Sequence, residues 1–104
     1  MDAQLKKGLL EICVLSVIEE APSYGYKIIT DLSPHVQISE STLYPILRRL
    51  EKGGAVKTKT AEVGGRLRRY FSITEEGKRK LSDFIEMMDQ FEKIKSFLLR
   101  GKGE

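Results

Sequence analysis

Residues 53 and 54 are both glycine, and the spacing of apolar residues changes across them. Upstream, apolar side chains recur at helical intervals of three and four. Downstream, residues 55–60 and 66–73 alternate in period two. A glycine pair at the end of a periodic segment is a strong helix stop. The chain must therefore place helices first and a hairpin second, and from residue 74 the helical spacing returns. The expected class is mainly α with one two-stranded antiparallel sheet.

The first helical stretch, residues 4–20, is apolar on every side at Ile12, Cys13, Val14, Leu15, Val17 and Ile18, and Pro22 supplies its stop. Both faces of this helix need cover, from another helix or a second chain. APSYGYKIITDLSP brackets a short second helix, with Ser23 as the expected N-cap and Pro34 as its limit. Gly25, Ile28, Ile29 and Leu32 share its buried face, and Gly25 is expected to admit the first helix closely. HVQIS then leads to a third helix over residues 39–52 with the core stripe Leu43, Ile46, Leu47 and Leu50. Opposite that stripe stand Ser41, Pro45, Arg48 and Lys52, with Thr42 and Arg49 on one flank and Tyr44 on the other. Pro45 falls about a turn and a half into the helix, where a slight kink is expected.

In the hairpin, AEVGG at residues 61–65 reads as the turn. Leu67, Arg69, Phe71 and Ile73 lie on one side of the second strand and Arg66, Arg68, Tyr70 and Ser72 on the other. Phe71 and Ile73, nearest the helices, should be buried, leaving the arginines toward the tip. Thr74 caps the last helix, and Glu75 and Glu76 suit its N-terminal dipole. Leu81, Phe84, Met88, Phe91, Lys95 and Leu98 then repeat at alternating spacings of three and four until Gly101, and GKGE reads as a frayed tail.

Charge is placed unevenly. The formal net charge of the 104 residues is +3, ordinary for a soluble domain. Between Ser39 and Arg69, however, eight basic residues face three acidic ones, so this segment carries +5 and the rest of the chain −2. Such segregation is the footprint expected of a nucleic-acid binder. A recognition helix needs short side chains at its start, so that its backbone approaches base edges, and longer donors beyond. Ser41, Thr42, Tyr44, Pro45, Arg48 and Lys52 meet that description, and Lys59, Arg66, Arg68 and Arg69 on the hairpin suit flanking phosphates. The layout is that of a winged helix-turn-helix. Enzyme classes find no support: there is no nucleophile elbow, phosphate loop or metal-ligand spacing. One cysteine, Cys13, and one histidine, His35, cannot make an intramolecular disulfide or a Cys/His metal cluster, and no metal or cofactor is expected. Cys13 reads as a small buried hydrophobe and His35 as a residue of the connection. No apolar run approaches the ~20 residues of a membrane span and no signal peptide is evident, so a cytoplasmic protein is expected.

The strings YGYKI at 24–28, STLYPILRRLEKGG at 41–54 and GGRLRRYFSITEEGKRKL at 64–81 closely resemble the PadR family of transcriptional regulators. The resemblance runs colinearly over about residues 8–81. It implies a homodimer that reads a partly palindromic operator and usually represses until a small effector binds. The short C-terminus is similar to the small PadR subfamily, with residues 1–74 as the DNA-binding domain and 75–104 as one dimerisation helix and tail. The residue pattern meets this independently. A last helix of about 24 residues spans ~36 Å, more than a small core covers, so its stripe needs a partner, as does the surplus face of the first helix. The expected dimer interface is Leu9, Cys13, Val17, Leu81, Phe84, Met88, Phe91 and Leu98. Effector-binding members of the family often use an interface tryptophan, which this chain lacks; Phe91 takes that place in the expected pocket for a hydrophobic or aromatic effector, walled by Leu9, Cys13, Val17 and Met88. The competing reading is a winged helix used for protein contact with little specific DNA affinity.

Overall fold

The computed structural model describes residues 1–102, and Gly103 and Glu104 of the expected tail lie outside the described residues. Four helices and one hairpin follow in the order α1 (Ala3–Glu20), α2 (Gly25–Leu32), α3 (Glu40–Lys52), β1 (Val56–Val63), β2 (Arg66–Ile73) and α4 (Glu75–Leu98). Three helix starts have side-chain caps of the kind that satisfies orphan N–H groups. The Asp2 carboxylate accepts from the Gln4 N–H, the Ser39 hydroxyl from Thr42 and the Thr74 hydroxyl from Gly77. At the far end of α3, Gly54 takes a φ of +83° and the Ala55 N–H bonds back to the Leu50 carbonyl.

The second helix starts differently from expectation. Its N-cap is Tyr24, with no side-chain cap bond, and Ser23 is extended. Ser23 exchanges two backbone hydrogen bonds with Phe71, at 3.0 and 2.7 Å, and so forms a one-residue addition to the outer edge of β2. Two ladder bonds replace the single bond that a cap would have made, and the Ser23 hydroxyl is left buried without a partner. The hairpin turn is also shorter than the expected five residues. β1 runs to Val63, which pairs with Arg66 across Gly64 and Gly65 alone. Both glycines have positive φ, 60° and 79°, as a two-residue turn needs in order to follow strand twist.

The core lies where the three helices meet the base of the hairpin. Val14, Leu15 and Ile18 of α1, Ile28 and Leu32 of α2, the α3 stripe Leu43, Ile46, Leu47 and Leu50, and Val56 and Phe71 of the strands are all buried. Full burial of such side chains contributes roughly 1.5–3 kcal/mol each. Ile73, expected inside, is half-buried. α3 continues as one helix through Pro45. Gly25 is a point of close approach, but to α3 and not to α1: a Cβ there would collide with the Tyr44 hydroxyl and lie 2.9 Å from its ring carbon Cζ.

α4 packs on α1 through its first two turns, where Leu81 is buried, and from Ile85 onward its apolar residues are exposed. The result is an elongated chain of 61 × 26 × 22 Å. Its architecture is a winged helix-turn-helix with a long C-terminal helix. Among the described residues no helix is long and apolar enough to cross a membrane.

Candidate nucleic-acid interface

Viewed down its axis, α3 has three surfaces outside its core stripe. Ser41, Arg48 and Lys52 face solvent together, with half-buried Pro45 beside them. On one flank, about a quarter turn away, Thr42, Pro45, Ile46 and Arg49 border the N-terminal half of α1. On the other flank lie Tyr44 and Glu51. Tyr44 shares a shallow surface with Tyr24, Leu67, Arg68 and Arg69, so this flank belongs to the wing.

Both flanks are held by ion pairs that neutralise arginines. Arg49 Nε donates to Glu11 Oε2 of α1 at 3.0 Å, and Lys80 of α4 stands 3.8 Å from the other oxygen of Glu11. Glu11 thus ties α1 to both α3 and α4. On the wing side, Glu51 accepts from the Arg69 guanidinium at 2.9 Å and from the Thr58 hydroxyl at 3.1 Å, one bond to each strand. Arg69 also lies over the Phe71 ring at 5.5 Å. The Arg68 guanidinium stacks 4.4 Å above Tyr24, whose ring meets Tyr70 edge-on. On α2, Asp31 accepts from Lys27 at 2.8 Å and holds that ammonium above its ordinary pKa range.

Among the described residues, Arg48, Lys52, Lys57, Lys59 and Arg66 enter no ion pair. Lys59 and Arg66 are exposed on the same face of the hairpin, with Arg66 next to the glycine turn. On α3 and the hairpin, the unneutralised charge therefore forms a polar-to-basic stripe on the helix and a basic wing beside it.

The PadR-like model of transcriptional regulators matches residues 14–83 of this chain. The chain belongs to the PadR-like family. An uncharacterised protein of Lysinibacillus sphaericus is 32% identical over 100 residues, covering 91% of this chain and 92% of its own. A PadR-family regulator of Eggerthella lenta superposes with a TM-score of 0.82 at 33% identity, over 95% of this chain and 88% of that one. Bacillus subtilis PadR, solved in complex with operator DNA, matches with a TM-score of 0.68 at 22% identity, over 74% of this chain and 47% of that one, a likeness of fold. Family membership places this PadR-like chain among regulators and not among enzymes.

The structure groups the remaining sequence candidates unevenly. Ser41, Thr42, Arg48 and Lys52 are exposed on α3 as expected, and Tyr44 is partly covered by its contact with Gly25. Arg69, one of the expected DNA-contacting residues, pairs with Glu51 and ties the wing to α3. Of the expected interface residues, Leu81 is already buried within its own chain at 5% exposure, and Phe84 is half-buried. Cys13, expected to be buried, is half-buried and lines an open cleft with Val17, Leu81 and Ile85. Leu9, Met88 and Phe91 do not border that cleft; Met88 and Phe91 lie farther out on α4. The bridging carboxylates Glu11 and Glu51 carried no sequence signal, because their partners are 38 and 18 residues away.

Proposed function

We propose that this PadR-like chain is a sequence-specific DNA-binding transcriptional regulator, a homodimer that represses from a partly palindromic operator until a small hydrophobic or aromatic effector binds. The observation that carries the reading is the contrast on and beside α3: Arg49 and Arg69 are neutralised, whereas Arg48, Lys52, Lys59 and Arg66 have no acidic partner among the described residues. Residues 1–74 act as the reading domain and 75–104 as the dimerisation element. Ser41 and Thr42 let the start of α3 approach base edges, with Tyr44 and Pro45 beside them, and Arg48 reaches guanine acceptors or a phosphate. Lys52, Lys59, Arg66 and Arg68 contact phosphates, with affinity that falls steeply with salt.

The exposed α4 residues Met88, Phe91 and Leu98 support a two-fold contact with a second chain, joined by Phe84, Leu9 and the cleft residues Cys13 and Val17. The effector then sits between the Cys13–Val17 cleft and the second chain, with Leu9, Met88 and Phe91 as its remaining walls. Two reading helices of such a dimer stand about 34 Å apart, one turn of DNA.

Selection of bound fragments from random DNA tests the reading, followed by titration at near-physiological salt. The expected result is a dyad with half-sites one turn apart, bound about 10³-fold or more above random sequence. Equal affinity for every sequence would overturn it in favour of a protein-contact module.

A further inference from the structure

A helix 10–12 Å across seated in a major groove about 12 Å wide has a phosphate ridge on each flank. The wing lies on the Tyr44–Glu51 flank of α3 and serves one ridge. The opposite flank, at Thr42 and Arg49, is occupied by α1, and its own cation is already paired with Glu11. Yet Lys6 and Lys7 of α1 border the same shallow apolar groove as Thr42, Pro45, Ile46 and Arg49. Both lysines are exposed, and among the described residues neither enters an ion pair. Of the two acidic groups nearest in sequence, the Asp2 carboxylate accepts from the Gln4 N–H and Glu11 is paired with Arg49 and Lys80.

We infer that Lys6 and Lys7 form a second phosphate-binding edge, which grips the DNA strand on the side of α3 away from the wing. The groove between them and α3 is walled by Ala3, Leu10, Pro45 and Ile46; its donors on α3 are Thr42, which belongs to the reading helix, and Arg49, which is already paired with Glu11, so the contact made by the lysines is to the sugar-phosphate backbone of duplex DNA. The inference rests on the DNA-binding reading and adds a surface to it. It makes the duplex footprint of each chain two-sided, with α3 between a lysine edge and an arginine wing. Helix packing places this edge: Arg49–Glu11 fixes α1 against α3, and the lysines follow from their positions on α1.

The test uses the full chain with its selected operator and with random duplex of equal length, over a series of salt concentrations. Lys6→Gln/Lys7→Gln is expected to lower affinity for both duplexes together and to reduce the slope of log affinity against log salt by about 4 for the bound dimer, roughly one per lost phosphate contact and two contacts per chain. Lys6→Arg/Lys7→Arg should keep the wild-type slope, and Lys93→Gln on the projecting part of α4 should leave it unchanged. Dimer size and melting temperature, measured in parallel, should match wild type for all three. A wild-type slope in the double Gln variant overturns the lysine edge alone, since operator preference would remain. No operator preference in the wild-type chain would overturn both readings.

Discussion

α3 and α4 carry the same kind of apolar stripe and meet opposite fates. In α3, Leu43, Ile46, Leu47 and Leu50 are all buried by α1, α2 and the hairpin, and the helix turns polar and basic side chains outward. In α4, Leu81 is covered, but Met88, Phe91, Ile94 and Leu98 are 46–58% exposed. The difference is one of reach: a small core can enclose a 13-residue helix but only the first part of a 24-residue one. One helix is therefore complete within the chain and offers its other face to a ligand. The other is incomplete and offers the stripe itself.

Matched truncations sharpen this contrast. Leu47→Ala, at a fully buried position, is expected to cost about 2–5 kcal/mol of fold stability, read as a lower denaturation midpoint in urea at a fixed protein concentration. Phe91→Ala should leave fold stability nearly unchanged yet raise the dimer dissociation constant by about 30-fold or more, the ~2 kcal/mol of an interface anchor, in sedimentation equilibrium. A Phe91→Ala chain that loses fold stability and keeps its oligomeric state would break the comparison. On the outward face of α3, Arg48→Ala is expected to reduce discrimination between operator and single-base variants by about 1–3 kcal/mol, with the melting temperature unchanged. Smallest is Glu11→Gln. The loss of its pair with the part-exposed Arg49 should lower stability by under about 1 kcal/mol, and raised salt should narrow the gap to wild type.

Much of the fold was legible because it is local. Gly53–Gly54, the Thr74 cap, and the change of period across the glycines place every element to within a few residues. The departures from local expectation share one cause. Ser23 has the sequence context of a helix cap, but its partner is Phe71, 48 positions away in the sheet. Gly25 meets Tyr44 of α3 and not α1 for the same reason, since helical spacing shows that a residue is buried without showing what it meets. The five-residue turn shrank to two because strand pairing extends β1 by cross-strand bonds that alternation alone does not count.

The candidate interface divides in the same way. By itself the sequence determined that positive charge gathers in the middle third, which residues of the third helix point away from its core, and that the last helix is too long for one small domain. Only the tertiary structure decided which arginines are spent inside the molecule. It paired Arg49 with Glu11 and Arg69 with Glu51, left Arg48, Lys52 and Arg66 without such partners among the described residues, and set Lys6 and Lys7 beside the helix they are far from in the chain. The physical reason is that a side chain's direction on its own helix or strand is a short-range property of backbone geometry, whereas charge neutralisation needs an opposite charge within about 4 Å, and that distance is set by how whole elements pack.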